Sequence, residues 1–367
     1  MPENAILVNI SLGRRSTCDD LCVVKKTVCA LLPLLLFALK PSLADDGAAS
    51  IGAGGVVLMK REPRITMQKE VLTIRVDKVT VDYEFRNDSD EDITTGVAFP
   101  IPPYKMDMNG PGFRLQGFDD FKLTVEGKPT QFDIEARAIL KGKDVTKALK
   151  TYGIDVPTFG HLDEEHNQAR DVRRLSGAQR TALVRAGLLD ADPNMDWAGW
   201  TVEKKYYWTQ TFLAHTTTHI SHSYSPVVGF GLVPQSSFRA AKSTASVADR
   251  NNRDVDPESL KEVKSVCPTD ALLSSLQKAS LIDQQMNGLG YLEYVDFILT
   301  TANTWKQPIS DFTLFIERPK DNHRENYRVS LCWPGKVEQA QPNLFKATAA
   351  DLVPTHELRI GFFGFNK

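Results

Sequence analysis

The sequence predicts a mainly β fold, an antiparallel β-sandwich with a small α-helical insertion and one further helix. Three observations carry this reading. Apolar and polar residues alternate with period two in roughly ten short segments from Val71 onward, as half-buried strands require. Polar turns separate those segments at the spacing of an all-β domain. Two short stretches of helical periodicity stand together between strand-rich blocks, which confines them to an insertion at residues 141–199. With 367 residues, 42% of them hydrophobic and 25% charged, the chain can bury a large core and is not disordered throughout. One elaborated domain over residues 45–367 is the expected organisation.

The first element is a leader. Lys25 and Lys26 precede "TVCALLPLLLFALK", an apolar run too short to span a bilayer, and "SLA" ends at Ala44 with the small residues that a signal peptidase reads. Cleavage is expected between Ala44 and Asp45, which makes residues 1–44 a removable leader. Residues 1–24 exceed what such a leader needs and suggest an over-extended start. Arg14 and Arg15 are followed by Ser16, Thr17, Cys18 and Asp19, too polar for a twin-arginine signal. Lys26, Thr27 and Val28 make a poor lipobox for Cys29. Behind the cleavage site, "GAGG" at 52–55 lacks the third glycine of a phosphate-binding loop and reads as flexible chain.

The strands follow. "VTVDYEF" sends Val79, Val81, Tyr83 and Phe85 to one face, and "NDSDED" turns the chain. A return strand with Thr95, Val97 and Phe99 on one face is expected to stop at "PIPP", because proline cannot donate to a ladder. A second hairpin carries Phe121, Leu123 and Val125 out and Phe132 and Ile134 back through "GKP". In "DVTKALKTYG", Asp144 can cap a helix that Gly153 closes, and Ser176 and Gly187 do the same for "SGAQRTALVRAG". Residues 240–257 are polar without periodicity and read as an exposed loop. A helix around Thr269–Ala279 starts just after Cys267. "YLEYVDFIL", "FTLFIE", "YRVSLCW" and "ELRIGFF" complete the strand pattern.

Composition narrows the function classes. The whole chain has a net charge of −2. The leader holds Arg14, Arg15, Lys25, Lys26 and Lys40 against Glu3, Asp19 and Asp20, so its removal leaves −4 and no basic stripe for nucleic acid. Cys18, Cys22 and Cys29 leave with the leader. Cys267 and Cys332 remain, and in an oxidising compartment they are expected to form a disulfide. No transmembrane anchor is expected in the mature chain.

The motifs that invite a catalytic or metal reading fail on spacing. "HTTTHISHSY" holds three histidines, but in a strand His219 and His222 face opposite ways, and His215 sits at the preceding turn. His222 is read as a core histidine hydrogen-bonded to a neighbour. Asp190, Asp192, Asn194 and Asp196 have the alternate spacing of a calcium loop, but Met195 and Thr201 stand where glycine and glutamate belong. In "HLDEEH", His161 and His166 are five apart, and Leu162 occupies the place of a zincin glutamate. No nucleophile elbow and no Walker loop occur. No catalytic residue, metal ligand or cofactor is therefore assigned. His222, Tyr224, Trp208 and Trp305 remain as candidates for either core packing or ligand contact.

Several stretches together resemble an exported bacterial family catalogued as domain-of-unknown-function family 4424: "DDGAASIGAGGVVLMK", "YEFRNDSDEDITTGVAFPIPP", "YYWTQTF" with "ISHSYSPVVG", and "YVDFILTTANTWKQPISDFTLFIE". The resemblance implies a secreted or envelope protein and carries no assigned reaction. Leu213 stands where a proline commonly follows "QTF" in that family. The expected function is a non-catalytic binding or structural module of the cell envelope, periplasmic or secreted, whose partner is an unidentified protein or envelope component. Two rivals stay open: an envelope hydrolase or carbohydrate-active protein using carboxylates such as Asp119, Asp120 or Asp296 in a cleft, and calcium-dependent adhesion through the Asp190–Asp196 loop.

Overall fold

The computed structural model describes residues 45–52, 55–58, 61–105, 120–156, 162–163, 168–169, 175–189, 199–280, 289–319 and 327–364. The chain is mainly β, with antiparallel sheets and a few helices. A six-stranded sheet runs from edge to edge through Gly55–Leu58, Gly47–Gly52, Ile93–Tyr104, Thr201–Phe212, Asp133–Leu140 and Lys143–Asp144. An eight-stranded sheet runs through Val337–Gln341, Leu344–Leu352, Ile309–Glu317, Ile65–Ile74, Val79–Asn87, Thr217–Tyr224, Lys122–Val125 and Lys128–Pro129. In it Ile65–Ile74 and Ile309–Glu317 pair in parallel. A four-stranded sheet joins Val228–Pro234, Leu289–Phe297, Leu358–Gly364 and Arg328–Leu331.

Side-chain alternation builds the main core. Val79, Val81, Tyr83 and Phe85 are buried as their spacing requires, and so are Tyr206, Trp208 and Phe212 on the other large sheet. The two sets meet: Phe85 lies 5.7 Å from Phe212 between ring centroids, and Phe121 stacks on Tyr206 at 3.9 Å. Such aromatic contacts add to the stabilisation that burial alone provides. A second core forms where Phe238, Val263, Leu273 and Leu276 of three helices cover Leu292, Tyr294 and Phe363 of the four-stranded sheet.

Several local expectations are corrected. Val79–Asn87 and Ile93–Tyr104 are not hairpin partners: "NDSDED" carries the chain from the eight-stranded to the six-stranded sheet. The latter strand also continues through "PIPP" to Tyr104, pairing Pro100 with Lys205 and Ile101 with Lys204. The second hairpin is only Lys122–Val125 with Lys128–Pro129, because Asp133–Leu140 joins the other large sheet and leaves Ile134 exposed. Alternation reports burial, not partners, so it could not distinguish a hairpin from a crossover.

The two ends of "GAGG", read as flexible chain, lie in strands, and its middle residues lie outside the described residues. Gly52 and Gly55 are register partners at the ends of two paired strands. The polar stretch 240–257 contains the short helix Val247–Arg250 and is flanked by helices Gln235–Ala241 and Pro257–Ser265. The latter begins on Asp256, whose carboxylate accepts from the Ser259 amide, with Pro257 in the first turn. Helix Asp270–Ser280 lies where periodicity placed it. In the 141–199 region, Thr146–Thr151 and Gly177–Arg185 are helical, the second opened by a Ser176–Gln179 capping box. Among the described residues no helix is long and apolar enough to cross a membrane.

Candidate functional site

The strand Gly47–Gly52 is held between Ile93–Tyr104 and Gly55–Leu58, and it leads Asp45 and Asp46 into the core. Both are fully buried. Glu70 reaches the same place from Ile65–Ile74, Tyr83 from Val79–Asn87, and His222 from Thr217–Tyr224. Thr301, Thr304 and Trp305 arrive from the 3-10 turn Thr300–Thr304 and the residue after it.

Hydrogen bonds tie the group together. The Asp45 amide donates to Thr301 Oγ1, and Tyr83 Oη donates to Asp45 Oδ1 at 2.5 Å. The Asp46 amide donates to Asp45 Oδ1 at 2.8 Å, the Ala48 amide to Thr304 Oγ1 at 2.8 Å, and Trp305 Nε1 to the Asp46 carbonyl at 2.6 Å. His222 Nε2 lies 3.1 Å from Asp46 Oδ2. The imidazole is enclosed by the rings of Tyr83, Phe99, Phe121 and Trp208.

Burial governs the electrostatics. It pushes the Asp45, Asp46 and Glu70 carboxyls well above the usual carboxylate range, with the Asp45 charge adding to the rise of Asp46 and Glu70 and the Glu357 charge adding to that of Asp45. It pushes His222 down to about 3. Both members of the Asp46–His222 pair are thus driven towards their uncharged forms. Four carboxyl oxygens have no hydrogen-bond partner: both of Glu70, Oδ2 of Asp45 and Oδ1 of Asp46. Nδ1 of His222 has none either. Closed from solvent, this group can hold a proton or a cation, but a substrate has no access to it.

The other sequence candidates disperse. His219 lies on the exposed face opposite His222, and His215 pairs with Asp90 at 2.9 Å, so the three histidines do not converge. Tyr224, Trp208 and Trp305 are core residues, 3%, 4% and 1% exposed. Cys267 and Cys332 are joined in a disulfide. Asp120 accepts from the Ser225 amide and hydroxyl, and Asp296 forms a bidentate pair with Arg359 at 2.6 and 2.8 Å. Among the described residues, no three His, Cys, Asp or Glu side chains group as a metal site requires. Ala44, Asp119, the Asp190–Asp196 loop and the histidines of "HLDEEH" lie outside the described residues.

Sequence reasoning missed Glu70 and the role of Asp46, and it saw Asp45 only as a cleavage residue. One signal was present: Glu70 shares strand parity with Leu72 and Ile74, which puts a carboxylate on the apolar face. Nothing in "TTANTW" marks Thr301 or Thr304.

The family model described as a domain of unknown function, DUF4424, matches residues 44–360. No curated protein matches the sequence. A solved structure from Legionella pneumophila, described as a "putative nutrient binding protein", is similar at 12% identity and a TM-score of 0.40, over 88% of this chain and 72% of that one. That likeness is too low to bear on ligand or activity.

Proposed function

The chain belongs to the DUF4424 family, and on that premise we propose that it is an exported bacterial envelope protein that acts as a non-catalytic binding or structural module. The observation that carries this reading is the sealed site. A set of ionisable groups, Asp45, Asp46, Glu70, Tyr83 and His222, is enclosed in the core, where no substrate reaches it. Asp120 and Asp296, two of the carboxylates offered as examples for a hydrolase, are engaged with Ser225 and Arg359. Export is supported by the leader pattern and by the Cys267–Cys332 disulfide, a bond kept in oxidising compartments. In this reading residues 1–44 are removed, and residues 45–367 act as one domain with 141–199 as a helical insertion.

The experiment is a turnover screen of the purified, processed protein against glycans, esters and peptides, paired with cross-linking in the intact envelope. The expected result is no turnover and a discrete cross-linked envelope species. Turnover that survives purification to homogeneity would overturn the non-catalytic reading.

A further inference from the structure

Three carboxyls share one buried place with no cation. Asp45, Asp46 and Glu70 are each no more than 0% exposed. Glu70 is the register partner of Tyr83, whose hydroxyl donates to Asp45 Oδ1. Among the described residues no lysine or arginine pairs with any of the three: Lys69, the neighbour of Glu70, pairs with Glu84 instead. A buried carboxylate without a partner is costly, and proteins resolve this by neutralising the group or supplying an opposite charge. His222 does not supply it, since its environment disfavours the imidazolium.

We propose that the missing cation is the α-ammonium group of Asp45 itself, created when the leader is cut and held in the core by Glu70 and its neighbours. The inference rests on the cleavage site proposed above. In the uncut chain the Asp45 nitrogen is an amide with a single proton, and that proton is given to Thr301 Oγ1. A signal peptidase adds water across the Ala44–Asp45 bond. The hydroxyl goes to the Ala44 carbonyl carbon, which leaves as a carboxylate, and the nitrogen takes up protons to become an ammonium. One proton can remain on Thr301, which leaves two, and a full positive charge, for oxygens that lack donors: Glu70 Oε1 and Oε2, Asp45 Oδ2 and Asp46 Oδ1. Two aspartates at the expected cleavage point and a glutamate on the core parity of Ile65–Ile74 thereby acquire one explanation. Leader removal completes the fold, and the unprocessed chain lacks its buried counter-ion.

The test uses protein recovered from the cells that export it. The N-terminal residue is read first, and then the folded protein is acetylated with an amine-selective reagent. The expected terminus is Asp45, with its amine acetylated at least roughly 100-fold more slowly than in urea-unfolded protein. Next, a glycine is inserted between Ala44 and Asp45, which moves the new amine by about 3.8 Å. That chain is expected to melt roughly 5 °C or more below the wild type. Glu70→Gln is expected to lower the melting temperature of the wild-type terminus and to cost less in the glycine-extended chain, the signature of direct coupling. A terminus other than Asp45 would overturn the cleavage reading and the inference with it. A terminus at Asp45 whose amine reacts at the unfolded rate would overturn the inference alone. So would equal effects of Glu70→Gln in both chains.

Discussion

A histidine closed off from water by Tyr83, Phe99, Phe121 and Trp208 has only its neutral form to offer the core. Its folded pKa of about 3 lies below the ordinary 6.5, so between those values the unfolded chain binds a proton that the folded chain refuses. The stability it contributes is complete above pH 6.5 and is lost as pH falls towards 3. His222→Gln is expected to cost roughly 1–3 kcal/mol at pH 7.5 through lost packing. Because the variant lacks this proton linkage, its urea midpoint and that of the wild type should converge between pH 7 and 5. A gap that stays constant over that range would show that His222 is not held neutral. Glu262 has the opposite sign. Burial, with Glu258 and Asp256 nearby, raises it to about 7. The folded state therefore keeps a proton that the unfolded chain releases above the usual carboxylate range, and stability falls as pH rises through that window. Glu262→Gln should raise the melting temperature at pH 8 and leave it unchanged at pH 4. The gain is about 1 kcal/mol or less, because the group is half exposed. The aromatic residues were legible as core because period-two parity placed them there. Glu70 was equally placed, but it precedes the segment from Val71 onward in which the alternation was read.

The N-terminal strand Gly47–Gly52 depends on a glycine opposite it. A Cβ on Gly96 would stand 2.5 Å from the Ala49 carbonyl oxygen, its register partner across the ladder. Gly96→Ala should therefore push this strand off the sheet and draw Asp45 and Asp46 out of the core. The expected readout is faster hydrogen exchange over residues 45–52 than over 201–212, with a loss of roughly 1–3 kcal/mol. Uniform exchange in both segments would refute this. The disulfide ties the end of helix Pro257–Ser265 to the segment after strand Arg328–Leu331 across 65 residues. Replacing both cysteines by alanine should cost about 4 kcal/mol. An unchanged denaturation midpoint would deny the bond any part in stability. Helix Pro257–Ser265 could have been read from Asp256, Pro257 and Glu258, a strong start signal that the surrounding polar sequence obscured.

At the scale of the whole molecule, the fold class was readable because each strand declares its buried face. The sheet order was not. The chain passes between the two large sheets at "NDSDED", and again between Thr201–Phe212 and Thr217–Tyr224, with polar turns that look like those of hairpins. The parallel pairing of Ile65–Ile74 with Ile309–Glu317 joins segments far apart in sequence and leaves no local trace. The buried network has the same origin, since its members come from the N-terminal strand, the eight-stranded sheet and the turn Thr300–Thr304. Such a site is assembled by topology, which is why only His222, Trp305 and the cleavage-site residue Asp45 were singled out in advance. The account as a whole makes Asp45 the first residue of an exported, oxidised, folded protein. Peptide mapping of the protein recovered from the envelope of its producing cells, without reduction, tests this most directly. The account requires an N-terminal peptide that begins at Asp45 and a cross-linked pair containing Cys267 and Cys332. A leader-bearing terminus with both thiols free would contradict it.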